Sequence, residues 1–198
     1  MSKKIARIIS TVFVPPSFTL IFFTALSFSL EKTFQKSLVM ILVALIFGFF
    51  APIILFVFMR KNGKLVDIDA SVKEERTVPF LIAEIFYLIG LLILIFYKIN
   101  IISIAFWFCY ISNTLIIIFI NKYWKISVHA MGAAGPAAAF ILLFGWIGLF
   151  MFIVVALVGW SRIKLKCHSI SQVMAGALFG FMSTYFQIYL ILKFFNHA

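Results

Sequence analysis

The sequence predicts an all-α protein, a polytopic transmembrane helical bundle of six or seven helices with its active site at one membrane face. Three observations predict the bundle. Mean hydropathy is +1.17, and 65% of the 198 residues are hydrophobic against 12% charged, a balance no soluble globular core accommodates. Apolar runs of about 20 residues, enough to cross a hydrocarbon core of about 30 Å, recur from end to end. Short polar, mostly basic stretches separate them.

The elements follow in order. The start, MSKKIARIISTVFVPPSFTLIFF, places a basic region before an apolar one, as a signal peptide does. No small-x-small site closes it, so it is expected to be a retained first helix over 8–29, kinked or broken at Pro15-Pro16. Spans are expected over 37–59, 79–97, 100–120 and 169–194, with Pro79 suited to a first helical turn. Residues 129–160 as one helix would reach about 48 Å. FGWIG (144–148) can turn the chain, dividing the run into 129–145 and 147–162. The whole, 1–198, reads as a single integral membrane domain, with two N-terminal helices (1–59) and a core (60–198). Cys109 and Cys167 form neither a disulfide framework nor a zinc spacing. His197 reads as a tail residue.

Net charge is +11. In so apolar a chain this points to positive-inside topology and anionic headgroups rather than to nucleic acid. The sharper alternative is an anionic substrate such as a lipid phosphate. The stretches 60–79, 121–129 and 161–172 are separated by even numbers of crossings, so all three share one membrane face. With the N-terminus that face carries 13 Lys and Arg, and the other carries 4. Discounting Lys73, Arg76, Lys125 and Arg162 as substrate-binding cations still leaves nine against four. The polar face is therefore expected in the cytoplasm, on an inner or plasma membrane.

Chemistry concentrates in SRIKLKCHSISQV (161–173). Arg162 ends one helix and His168 opens the next. His168 and Gln172 share a helix face that Gly176 and Gly180 continue, and such a spacing admits a close neighbour. Alone, this reads as an interfacial histidine among snorkelling lysines with a packing seam below. A second stretch, KISVHAMGAAGPAAAF (125–140), sets Ser127 and His129 at a helix start suited to an anion, with Lys125 as a point charge. Two histidines and an arginine suffice in type for phosphoryl transfer, one His as nucleophile and the other as general acid, without a metal or other cofactor. Lys73 and Arg76 share a face if 71–80 is helical; alone they read as a solvated charge run. Glu84 is an intramembrane carboxylate, read as either orienting a site residue or forming a structural pair. Ser112, Asn113 and Thr114 are expected to bond between helices.

The order of these residues resembles the type-2 phosphatidic acid phosphatase superfamily of membrane lipid phosphatases over about 60–185. Its motifs read Lys-x6-Arg-Pro, Pro-Ser-Gly-His and Ser-Arg-x5-His-x3-Asp. Ser161, Arg162 and His168 fit the third. The resemblance implies that His168 is the nucleophile forming a phosphohistidine and His129 the general acid. It likewise implies that Arg162, Ser127 and Arg76 bind the phosphate. Gln172 stands where the family usually has Asp; HSISQVMAGALFG resembles the dolichyl-diphosphatase-like branch, in which Gln is normal. Ile126 and Val128 replace the Pro and Gly of the second motif. In the first, Asp69 stands where Lys is expected and Pro79 follows Arg76 by three residues rather than one, with Lys73 as a substitute cation.

The expected function is thus a metal-independent hydrolase of a lipid phosphate or diphosphate, with a polyprenyl diphosphate first and phospholipid phosphates next. The alternatives are a catalytically silent lipid-phosphate binder or a phosphotransferase of the same fold, and, in another class, a small transporter. DIDAS (67–71) is too thin for the Asp-rich metal motifs of prenyltransferases and CDP-alcohol transferases, and Cys167 has no Cys-x5-Arg partner.

Overall fold

The computed structural model describes residues 2–70 and 72–196; His197 lies outside them. Among the described residues every regular element is helical. Helices α1 (Lys3–Val12) and α2 (Pro15–Leu30) are separated by a break. A residue before proline is pushed out of the helical region, which places the break at Phe13-Val14. α3 (Phe34–Val43) and α4 (Ala51–Lys61) are joined by a π-helical turn, Ala44–Phe50. A 3-10 turn, Glu74–Arg76, leads into α5 (Thr77–Phe96), followed by α6 (Ile101–Tyr123). α7 (Val128–Phe144), α8 (Met151–Lys164) and α9 (Ile170–Asn196) complete the chain.

Five helices are long and apolar enough to cross a membrane, or six if α1 and α2 form one span. One of the five, the 37-residue stretch Val128–Lys164, folds in two. A Cβ on Gly148 would lie 2.5 Å from the Ile141 nitrogen, whereas residues seven apart on a straight helix are about 10.5 Å apart. Gly145 takes φ +60°, a conformation that favours glycine. The chain reverses through the turn Gly145–Phe150, and α7 packs against α8. The expected split at FGWIG therefore holds. Phe28, Phe34 and Phe96 are 75%, 82% and 78% exposed, a surface suited to lipid rather than to water. The chain is a multi-pass membrane protein.

The backbone divides into two compact units, Met1–Phe18 with Trp124–Ala198, and Thr19–Tyr123. The seam expected at residue 60 falls inside the second. There α5 packs on α6, and Phe23, Phe106, Trp107 and Tyr110 form an aromatic cluster. The Trp107 indole donates to the Tyr87 carbonyl at 2.7 Å. In the first unit α7 lies along α9, α8 packs on both, and α1 packs on α8.

The α7–α9 seam is built on missing side chains. A Cβ on Gly176 would strike the Ser127 carbonyl oxygen, and one on Gly180 would sit 2.5 Å from that of Met131. The Ser127 amide donates to the Gln172 carbonyl at 3.1 Å. The Gly-x3-Gly face read from sequence thus brings the start of α7 against the first turns of α9, as such spacings do in membranes.

Candidate active site

The Arg162-to-His168 interval has a local cause. α8 ends in a Schellman motif: the Cys167 amide donates to the Arg162 carbonyl at 3.0 Å and the Lys166 amide to that of Ile163 at 2.9 Å. Lys166 supplies the left-handed residue, φ +58°, which glycine usually provides. This cap carries the chain from the arginine directly to the histidine. The Lys125 ammonium donates to the Cys167 carbonyl at 2.8 Å, so the stretch before α7 is tied to the same cap.

α9 opens with a capping box. The Ser169 hydroxyl accepts from the Gln172 amide at 3.3 Å, and Gln172 Oε1 accepts from the Ser169 amide at 3.2 Å. This is the reciprocal pattern of Ser-x-x-Gln. The same Oε1 lies 3.1 Å from His168 Nδ1. A backbone N–H can only donate, so the atom facing Ser169 is the oxygen, and it accepts from His168 as well. In the neutral ring Nδ1 therefore carries the proton and Nε2 the lone pair. His168 is 7% exposed. Ser169 is a site residue whose signal in the sequence is Ser-x-x-Gln before an apolar run.

Arg162 is fully buried. Its Nη1 donates to Ser10 Oγ at 2.6 Å, a partner 152 positions away that no local pattern indicated. The Ser161 hydroxyl donates to the Val158 carbonyl of its own helix at 2.7 Å. Ser127, fully buried, is the N-cap of α7; its hydroxyl accepts from the Ala130 amide at 3.4 Å. His129 lies in the first turn of α7, half-buried. Arg162, His168, Gln172, Ser127, His129 and Lys125 all belong to the first unit. That unit holds Lys3, Lys4, Arg7, Lys125, Arg162, Lys164, Lys166 and Lys193 but no Asp or Glu; all six acidic residues lie in the second.

The remaining candidates are in the second unit. Arg76 is buried, and its Nε donates to the Ala70 carbonyl at 2.7 Å. Lys73 donates to the Lys122 carbonyl at 2.7 Å and lies 3.6 Å from the Glu74 carboxylate. A free substitute cation is thus not what the structure gives at Lys73. Glu84 is half-buried in α5 and hydrogen-bonded by Thr114 of α6, an interhelical bond of the kind expected of Thr114. The Ser112 hydroxyl also bonds the Phe108 and Cys109 carbonyls of its own helix. Among the described residues no group of three or more His, Cys, Asp or Glu could hold a metal ion.

Compared with known proteins, the chain matches no family model, no curated protein and no solved structure.

Proposed function

We propose that the chain is a membrane lipid phosphatase of the type-2 phosphatidic acid phosphatase kind, acting on a lipid phosphate or diphosphate through a phosphohistidine on His168. The observation that carries this reading is the His168–Gln172 bond. It commits Nδ1 as donor and so puts the lone pair on Nε2, the nitrogen that attack on phosphorus requires. Arg162, joined to His168 by one helix cap, supplies the charge that developing equatorial oxygens require. The unit around them is cationic and contains no Asp or Glu to repel an anion.

In the first step Nε2 bonds to phosphorus as the bond to the leaving oxygen breaks, and His129 gives that oxygen its proton. Water then attacks phosphorus as the P–Nε2 bond breaks, His129 takes the proton of that water, and inorganic phosphate leaves with His168 restored. Gln172 orients the ring without adding a charge. A polyprenyl diphosphate is the first-choice substrate and phospholipid phosphates the next. The headgroup would meet the cationic edge, on the cytoplasmic face by the Lys and Arg asymmetry, with the tail among the helices.

A second reading, a lipid-phosphate binder or phosphotransferase of the same fold, is favoured by one observation. Lys73 and Ser127 are engaged with backbone groups. Phosphate release separates the two. Purified protein in detergent, with chelator present, is given polyprenyl diphosphate, phosphatidic acid and phosphatidylglycerophosphate. Release by the wild type that disappears in His168→Ala is expected. No release from any of them by folded protein would overturn hydrolysis.

A further inference from the structure

We infer that Ser10, on the N-terminal helix, is a positioning residue of the phosphate site, holding the Arg162 guanidinium in register; this rests on the reading of that site as one for a lipid phosphate. α1 buries two residues, Ala6 and Ser10, four apart and so on one face. α1 packs on α8, and Ser10 of this face bonds Arg162 of that helix. Ser10 is 3% exposed and Arg162 fully buried, so their 2.6 Å bond is shielded from competing water, where a charge-assisted hydrogen bond is strong.

The chemistry of the partner matters. A guanidinium has five N–H donors in a rigid plane, and fixing one of them fixes the direction of the rest. A carboxylate in this place would orient the arginine equally well but would neutralise it. A serine orients it without neutralising it. The first unit is consistent throughout, since it contains no Asp or Glu.

The outward face of α1 explains why a site residue sits on an N-terminal helix. Ile5, Ile8 and Val12 are exposed, with Lys3 and Lys4 beside them. This is the pattern of a helix lying in the membrane interface. α1 is therefore part of the site, carried to it by the bilayer surface where the substrate headgroup lies.

The test uses full-length protein in detergent, as wild type, Ser10→Ala and Ser10→Thr. The readouts are the dissociation constant for inorganic phosphate, kcat and KM on the lipid substrate, and the melting temperature. Ser10→Ala is expected to weaken phosphate binding and raise KM by roughly tenfold or more, with the larger loss in KM than in kcat. Ser10→Thr, which keeps the hydroxyl, is expected to restore both constants even if either variant lowers the melting temperature. Phosphate affinity unchanged in Ser10→Ala, or lost to the same degree in Ser10→Thr, overturns the inference alone. A wild type that binds phosphate but releases none would remove the hydrolytic reading and leave the Ser10 inference to be decided by the affinities. A wild type that does not bind phosphate overturns both.

Discussion

Gln172 Oε1 lies 3.1 Å from His168 Nδ1 and accepts the Ser169 amide at the same time. One neutral side chain therefore caps α9 and selects the tautomer of the histidine that opens it. An aspartate at this position has a shorter reach and brings a negative charge. The glutamine keeps the orientation and omits the charge.

Replacing Gln172 tests this division of labour. Gln172→Ala is expected to lower kcat by about tenfold to a hundredfold, because the ring loses its fixed direction. Gln172→Glu should retain the geometry. Its carboxylate favours the protonated imidazole, so the Nε2 lone pair appears only at higher pH. The acid limb of a kcat/KM profile should move upward relative to wild type. An unchanged profile would contradict the assigned bond.

The seam between α7 and α9 predicts stability effects. Gly176→Ala directs a Cβ at the backbone oxygen of Ser127, which cannot swing aside as a side chain could. A loss of about 1–3 kcal/mol is expected in thermal or chemical unfolding. Nothing lies within 4 Å of a Cβ at Gly63, where the only obstacle is φ +70°, so Gly63→Asn should be nearly neutral. Equal losses at the two positions would contradict the packing.

The cap after α8 makes the opposite prediction. Lys166 holds φ +58°, at a strain of about 1 kcal/mol for an L residue. Lys166→Gly should raise the melting temperature and keep activity. Lys166→Val should lower both, since a β-branched residue at positive φ disturbs the turn joining Arg162 to His168. Measuring both variants together separates cap geometry from the loss of one lysine charge.

Lys73 should matter little to turnover. Its ammonium is bonded to the Lys122 carbonyl, so Lys73→Met is expected to change kcat/KM by less than about threefold and to cost about 1 kcal/mol of stability. A loss of hundredfold or more would return Lys73 to the phosphate.

The bundle was legible because its signals are repetitive. Apolar length gave the spans, Pro15-Pro16 the break at residues 13–14, and Gly145 the hairpin. Gly176 and Gly180 gave the face that meets α7. His168 and Gln172 were legible as a pair because they are four apart on one helix. Ser10 was not, since nothing in its local sequence marks a partner 152 positions away. Lys73, Arg76 and Lys125 were legible only as cations. Whether a lysine meets a substrate or a carbonyl oxygen is settled by tertiary placement, and all three donate to carbonyls. The division of the chain was also hidden, because α1 joins residues 124–198 rather than the helices that follow it.

The most direct measurement is of the covalent intermediate. Protein mixed with a substrate labelled in its terminal phosphate would be quenched within milliseconds in alkali, where phosphohistidine survives. Label is expected on the wild type, on the peptide containing His168, stable to base and lost in acid. It should be absent from His168→Ala and should accumulate in a His129 variant given a substrate with a good leaving group. Phosphate release by wild type with no label on His168, or with activity intact in His168→Ala, would contradict the account.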